Sequence, residues 1–142
     1  MIGPRLPFPE RSLPELVAEQ ARRRPDAVAV RQRDEILTYR GLLGAAGAVA
    51  AALCQRGVGT DDLVGVCHDR RPGLVAALLG VLGASAGYVP LDPSLPPERL
   101  RVMAEEAGLR TIVGTWPFGF TSRKAGERVC SGASAASGSC SR

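Results

Sequence analysis

Apolar residues along this chain fall into alternating helical and strand-like periods. Leu13, Leu16, Val17 and Ala21 share a helical face, and this predicts a helix ending in Arg22-Arg23-Arg24 just before Pro25. Ala27 to Arg31 and Ile36-Leu37, separated by the polar Asp34-Glu35, predict a small hairpin. Thr38 then offers a hydroxyl to cap a second helix, whose Leu42, Leu43, Ala46, Val49, Ala50 and Leu53 share one face. Gly57 is placed to stop it in a left-handed conformation.

The pattern changes at Leu63. Leu63 to Cys67 is a short apolar run between Asp61-Asp62 and His68-Asp69, as a strand buried on both faces requires. Pro72 suits the first position of a third helix, whose Leu74, Val75, Leu78, Leu79, Val81 and Leu82 cover more than one face. Such a helix must be buried between a sheet and another element, which has to be supplied. Tyr88 and Val89 read as a short strand that Pro90 and Pro93 should end, with Asp92 accepting backbone hydrogen bonds in the turn. Pro96-Pro97-Glu98 opens a further helix carrying Leu100, Met103, Ala104 and Ala107, ended by Gly108. Thr111 to Val113 is the next strand. Strands alternating with helices at this spacing predict βαβ units: an α/β fold beginning a doubly wound, mainly parallel sheet.

Charge separates the body from the ends. Of the 18 basic side chains 17 are arginine, and Met1 to Thr115 holds 14 basic against 13 acidic residues. The body is therefore near neutral, and most of the net charge of +4 sits in the last 27 residues, so a nucleic-acid surface is not implied. The Arg22-Arg24 cluster reads as a solvated helix end, since three adjacent helical residues point in three directions. Residues 1–12, with three prolines and no periodicity, read as a flexible lead-in or linker. From Trp116 on, Ser, Gly, Ala and scattered arginine predict a disordered tail over 116–142.

Several chemistries lack their residues. Cys54, Cys67, Cys130 and Cys140 form no close pair and have no neighbouring histidines, so no zinc site is expected and free thiols are. No Gly-x-x-x-x-Gly-Lys run is present, and Gly57-Val58-Gly59 lacks a third glycine at Asp62 for a dinucleotide turn. His68 beside Asp69 suggests an acid–base pair, but neighbours along a strand face opposite sides, and a surface histidine at a strand end is the simpler expectation. With no signal core and no apolar run long enough to span a bilayer, a soluble cytoplasmic protein is expected.

Leu82-Gly83-Ala84-Ser85-Ala86-Gly87-Tyr88-Val89-Pro90-Leu91-Asp92-Pro93 resembles the second core motif of adenylation domains in nonribosomal peptide synthetases, the AMP-binding, adenylate-forming ligases. Upstream, Leu37-Thr38-Tyr39-Arg40-Gly41-Leu42 resembles the first, and Leu13 to Thr115 reads throughout like that family's opening. Two departures weaken helix starts: Gly41 stands where the family usually has a glutamate that would complete a capping box with Thr38, and Arg71 where it commonly has a capping serine.

The resemblance implies a partial adenylation domain over 13–115, the N-terminal part of an enzyme that activates an amino acid with ATP and magnesium and passes it to a carrier-protein thiol. Its partners would be the rest of the adenylation domain and the carrier and condensation domains. The family's phosphate loop and catalytic lysine have no counterpart, Lys124 being the sole lysine. No catalytic, cofactor-binding or metal residue is therefore carried over, and the chain alone is expected to be inactive. A tail unlike the family implies a frameshift or truncation near codon 115, with a native disordered tail as the alternative. Two other classes are weighed beside this one: a non-catalytic interaction module or split-enzyme half completed by a partner, and a free-standing flavodoxin-like binding domain, disfavoured because no phosphate loop stands at a strand end.

Overall fold

The computed structural model describes residues 10–114. Residues 1–9 of the lead-in over 1–12, and the tail over 116–142, lie outside the described residues. Helix α1 (Leu13–Arg23) leads to a hairpin, β1 (Val28–Gln32) and β2 (Glu35–Thr38), and then to helix α2 (Tyr39–Cys54). Strand β3 (Leu63–Cys67), helix α3 (Pro72–Gly83), strand β4 (Gly87–Leu91), helix α4 (Pro97–Glu106) and strand β5 (Thr111–Gly114) complete the order. The hairpin is antiparallel, whereas β3, β4 and β5 form a parallel sheet in the order β4-β3-β5. The expected α/β architecture is therefore the observed one.

Helix ends follow local chemistry. Ser12 precedes α1, and the Glu15 carboxylate accepts hydrogen bonds from both its backbone N–H, at 2.8 Å, and its hydroxyl, at 2.9 Å. These two bonds hold the Glu15 carboxyl below its ordinary range. Thr38 caps α2 by accepting the Gly41 N–H at 3.2 Å, without the reciprocal carboxylate that a glutamate at 41 would bring. Beyond α2, Gly57 takes φ 75° and lets the Val58 N–H return to the Leu53 carbonyl. Arg71 gives α3 no side-chain cap, as its sequence position predicts.

Period-two alternation along β3 divides the core. Val64 and Val66 point to one face, where they pack with Ala77 and Val81 of α3, Leu53 of α2 and Val113 of β5. Cys67 points to the other, among Leu91, Leu100, Ala104, Leu109 and Ile112 around α4. A third cluster joins Leu42 and Ala46 of α2 to Ala76 and Leu79 of α3 and takes in Val17, Val30 and Leu37. No polar or charged side chain is buried among the described residues, so their polar chemistry is confined to the surface. None of the described helices is long and apolar enough to cross a membrane.

Two expectations are corrected. Helix α3 is indeed buried on more than one side, but its second partner belongs to this chain: α2 lies along it, with Gly80 letting the two helices approach. Strand β4 does not stop before Pro90; it runs on to Leu91, pairing Val66 with Pro90 and Cys67 with Leu91. Because β4 is an edge strand of the described sheet, a residue without an N–H is tolerated there.

A crevice at the carboxyl ends of the parallel strands

The sheet order fixes where a ligand-sized opening can form. From β3 the chain passes through α3 to β4 on one side; from β4 it passes through α4 to β5 on the other side of β3. Since α3 and α4 pack on opposite faces, the loops leaving β3 and β4 diverge, and a crevice opens between adjacent strands at their carboxyl ends. In open α/β sheets this switch in direction is where ligands bind. Here it encloses about 460 Å³, within the range of small-molecule clefts.

Its floor is apolar, formed by Val66, Leu74, Pro90, Leu91 and Pro93, and its polar groups come from the two loops. After β3 stand His68, Asp69 and Arg70; after β4 stand Asp92 and Ser94. Asp92 accepts the Ser94 N–H at 2.9 Å, as the turn chemistry of the sequence predicts. Hydrogen bonds from Ser94, aided by the charge of Arg70, keep the Asp92 carboxyl below its ordinary range and therefore ionised at neutral pH. No carboxylate lies within ion-pair distance of Arg70 among the described residues.

The structure revises the reading of His68 and Asp69. Strand β3 ends at Cys67, so these neighbours lie in the loop and the strand rule does not separate them. The His68 Nδ1 lies 2.8 Å from the Asp69 carboxylate and 3.0 Å from the Asp69 carbonyl oxygen. Facing two acceptors, Nδ1 is the ring nitrogen placed to donate a hydrogen bond. The imidazole edge lies over Gly73 in the first turn of α3, where a Cβ would stand 2.9 Å from Nε2. The side chain is 25% exposed, so His68 is half sheltered rather than a plain surface residue.

A chain of charges continues outward. Arg71 reaches the Asp69 carboxylate at 4.0 Å and pairs directly with Glu35 at the start of β2. Arg71 thus ties the hairpin to the crevice loop while leaving α3 uncapped. Beneath the crevice Cys67 is fully buried; burial first, and the Asp92 charge second, push its thiol up. Cys54 is exposed, and neither cysteine is in a disulfide. Cys130 and Cys140 lie outside the described residues.

Sequence reasoning assigned no site residue. The crevice unites positions about two dozen apart, such as His68 and Asp92, because parallel pairing sets Cys67 beside Leu91. The signal available was positional: each group directly follows a buried strand end.

The crevice offers an ATP–magnesium complex little fixed positive charge. The described residues contain no lysine and no group of three acidic, histidine or cysteine side chains able to hold a metal ion, and two exposed carboxylates line the crevice beside its one arginine. A triphosphate set against Asp69 and Asp92 would meet like charge.

Comparison with known proteins agrees with this topology. Residues 17–139 match the family of AMP-binding enzymes, a span that continues past Thr115. Bacitracin synthase 1 of Bacillus licheniformis is 43% identical over 108 residues, which are 76% of this chain and 2% of that protein. The nonribosomal peptide synthetase FmoA3 is similar in structure, with a TM-score of 0.72 at 37% identity over 76% of this chain and 12% of its own. A four-domain nonribosomal peptide synthetase solved with AMP and glycine gives a TM-score of 0.67 at 35% identity, covering 73% of this chain and 8% of its own. The chain thus spans a small fraction of the multidomain synthetases it matches. With two core motifs set on a hairpin–helix–βαβαβ framework and a matched span of this length, the chain belongs to the AMP-binding enzyme family.

Proposed function

We propose that this chain is the opening α/β unit of an amino-acid-activating adenylation domain of a nonribosomal peptide synthetase. The parent reaction is ATP-dependent formation of an aminoacyl adenylate, with magnesium, followed by transfer to a carrier-protein thiol. One observation carries the reading: both core-motif stretches fall on structural joints of the fold. Thr38 caps the helix that buries α3, and Gly87 to Pro93 forms the edge strand and the turn that builds one wall of the crevice.

The part supplied by residues 10–114 is scaffold. The two core clusters hold the sheet between α3 and α4, and the crevice presents His68, Asp69, Arg70, Asp92 and Ser94 at its carboxyl edge. Phosphate chemistry needs fixed positive charge at the reacting group. That charge, and the adenylate-forming site with it, belongs to the remainder of the enzyme, which packs beside the carrier and condensation domains in the cytoplasm. The half-exposed Leu63 and Tyr88, on opposite faces of the uncovered end of the sheet, suit contact with that remainder.

The test is amino-acid-dependent exchange of labelled pyrophosphate into ATP by the purified chain. No exchange above background is expected with any of the common amino acids. Robust exchange would overturn the proposal that residues 10–114 are scaffold only.

A further inference from the structure

We draw no further inference here: the strongest candidate, the crevice between the loops after β3 and β4 taken as a separate ligand site around Arg70 and Asp92, rests on an uncapped α3 N-terminus and exposed charges with no second observation pointing to a ligand.

Discussion

Val49 of α2 packs directly against Gly80 of α3: a Cβ built on Gly80 would lie 2.5 Å from that of Val49 and 2.8 Å from the Ala46 carbonyl oxygen. Neither neighbour is a flexible side-chain end that could swing away. Replacing Gly80 with alanine therefore has two opposed effects. A helical glycine costs about 0.5–1 kcal/mol relative to alanine, whereas overpacking costs about 1–3 kcal/mol. Overpacking wins, because the α2 backbone and the Val49 Cβ must give way and loosen the cluster that holds Leu42, Ala46 and Leu79. Urea unfolding of Gly80→Ala should show a lower midpoint. Gly47→Ala, on an exposed position of α2 with nothing within 4 Å, should raise it. Equal effects of the two substitutions would refute the close-packing argument.

Much of the fold was legible because each element repeats a simple period. The helical faces of α1, α2 and α4 and the apolar run of β3 were readable directly, and Gly57 and Gly108 take the left-handed conformations that their helix-ending positions imply. Misreadings came where tertiary context decides. Pro90 sits inside a strand because that strand is at an edge, a fact about the sheet and not about the residue. The second cover of α3 was already in the chain as α2, but a helical stripe does not name its partner. Ser12-Leu13-Pro14-Glu15 carries the spacing of a capping box, yet its first residue closes a proline-rich stretch without periodicity. The crevice was least legible: only the parallel register between β3 and β4 brings His68, Arg70, Asp92 and Ser94 to one opening, and no spacing along the chain encodes it.

Arg71→Ser separates two roles that one residue now divides. The arginine pairs with Glu35 across an exposed surface, its side chain 59% and the glutamate's 45% exposed, and such pairs are worth about 0–1 kcal/mol. A serine at the same backbone position, which is already extended at φ −109° and ψ 164°, would cap the open first turn of α3, typically for about 0.5–2 kcal/mol. The cap should win, and Arg71→Ser should be more stable by a few tenths to about 1 kcal/mol. Glu35→Gln removes the pair without adding a cap and should be neutral or slightly destabilising. A serine variant less stable than Glu35→Gln would show that the clasp between hairpin and crevice loop outweighs the cap.

Two carboxylates contribute to stability against acid. Glu15 is held below its ordinary range by hydrogen bonds from Ser12, and Asp92 by those from Ser94. For a group whose folded pKa is depressed, the stabilisation is complete above the unfolded value, near 4, and is lost as pH falls through the folded one. The contribution of these two groups should therefore be complete from neutrality to about pH 5 and be lost below about pH 4. Glu15→Gln and Asp92→Asn should each remove part of that decline, giving a shallower fall in unfolding midpoint between pH 5 and 2 than the wild type. An unchanged slope in both variants would show that the acid transition arises elsewhere.

Cys67 and Cys54 should report the integrity of the sheet through their reactivity. The thiolate is the reacting species. Cys67 has no exposed surface, and burial, reinforced by the Asp92 charge, pushes its thiol up, so both access and ionisation oppose alkylation. Cys54, at the exposed end of α2, lacks that protection. Iodoacetamide at neutral pH, followed by peptide mapping by mass spectrometry, should label Cys54 in the native chain and Cys67 only after denaturant opens the cluster of Leu91, Leu100 and Ile112 around it. Asp92→Asn removes the secondary electrostatic cause and leaves burial intact, so native labelling of Cys67 should stay slow in that variant. Rapid labelling of Cys67 in the native wild-type chain would mean that the α4 layer opens readily. It would then contradict the division of the core into two clusters either side of β3.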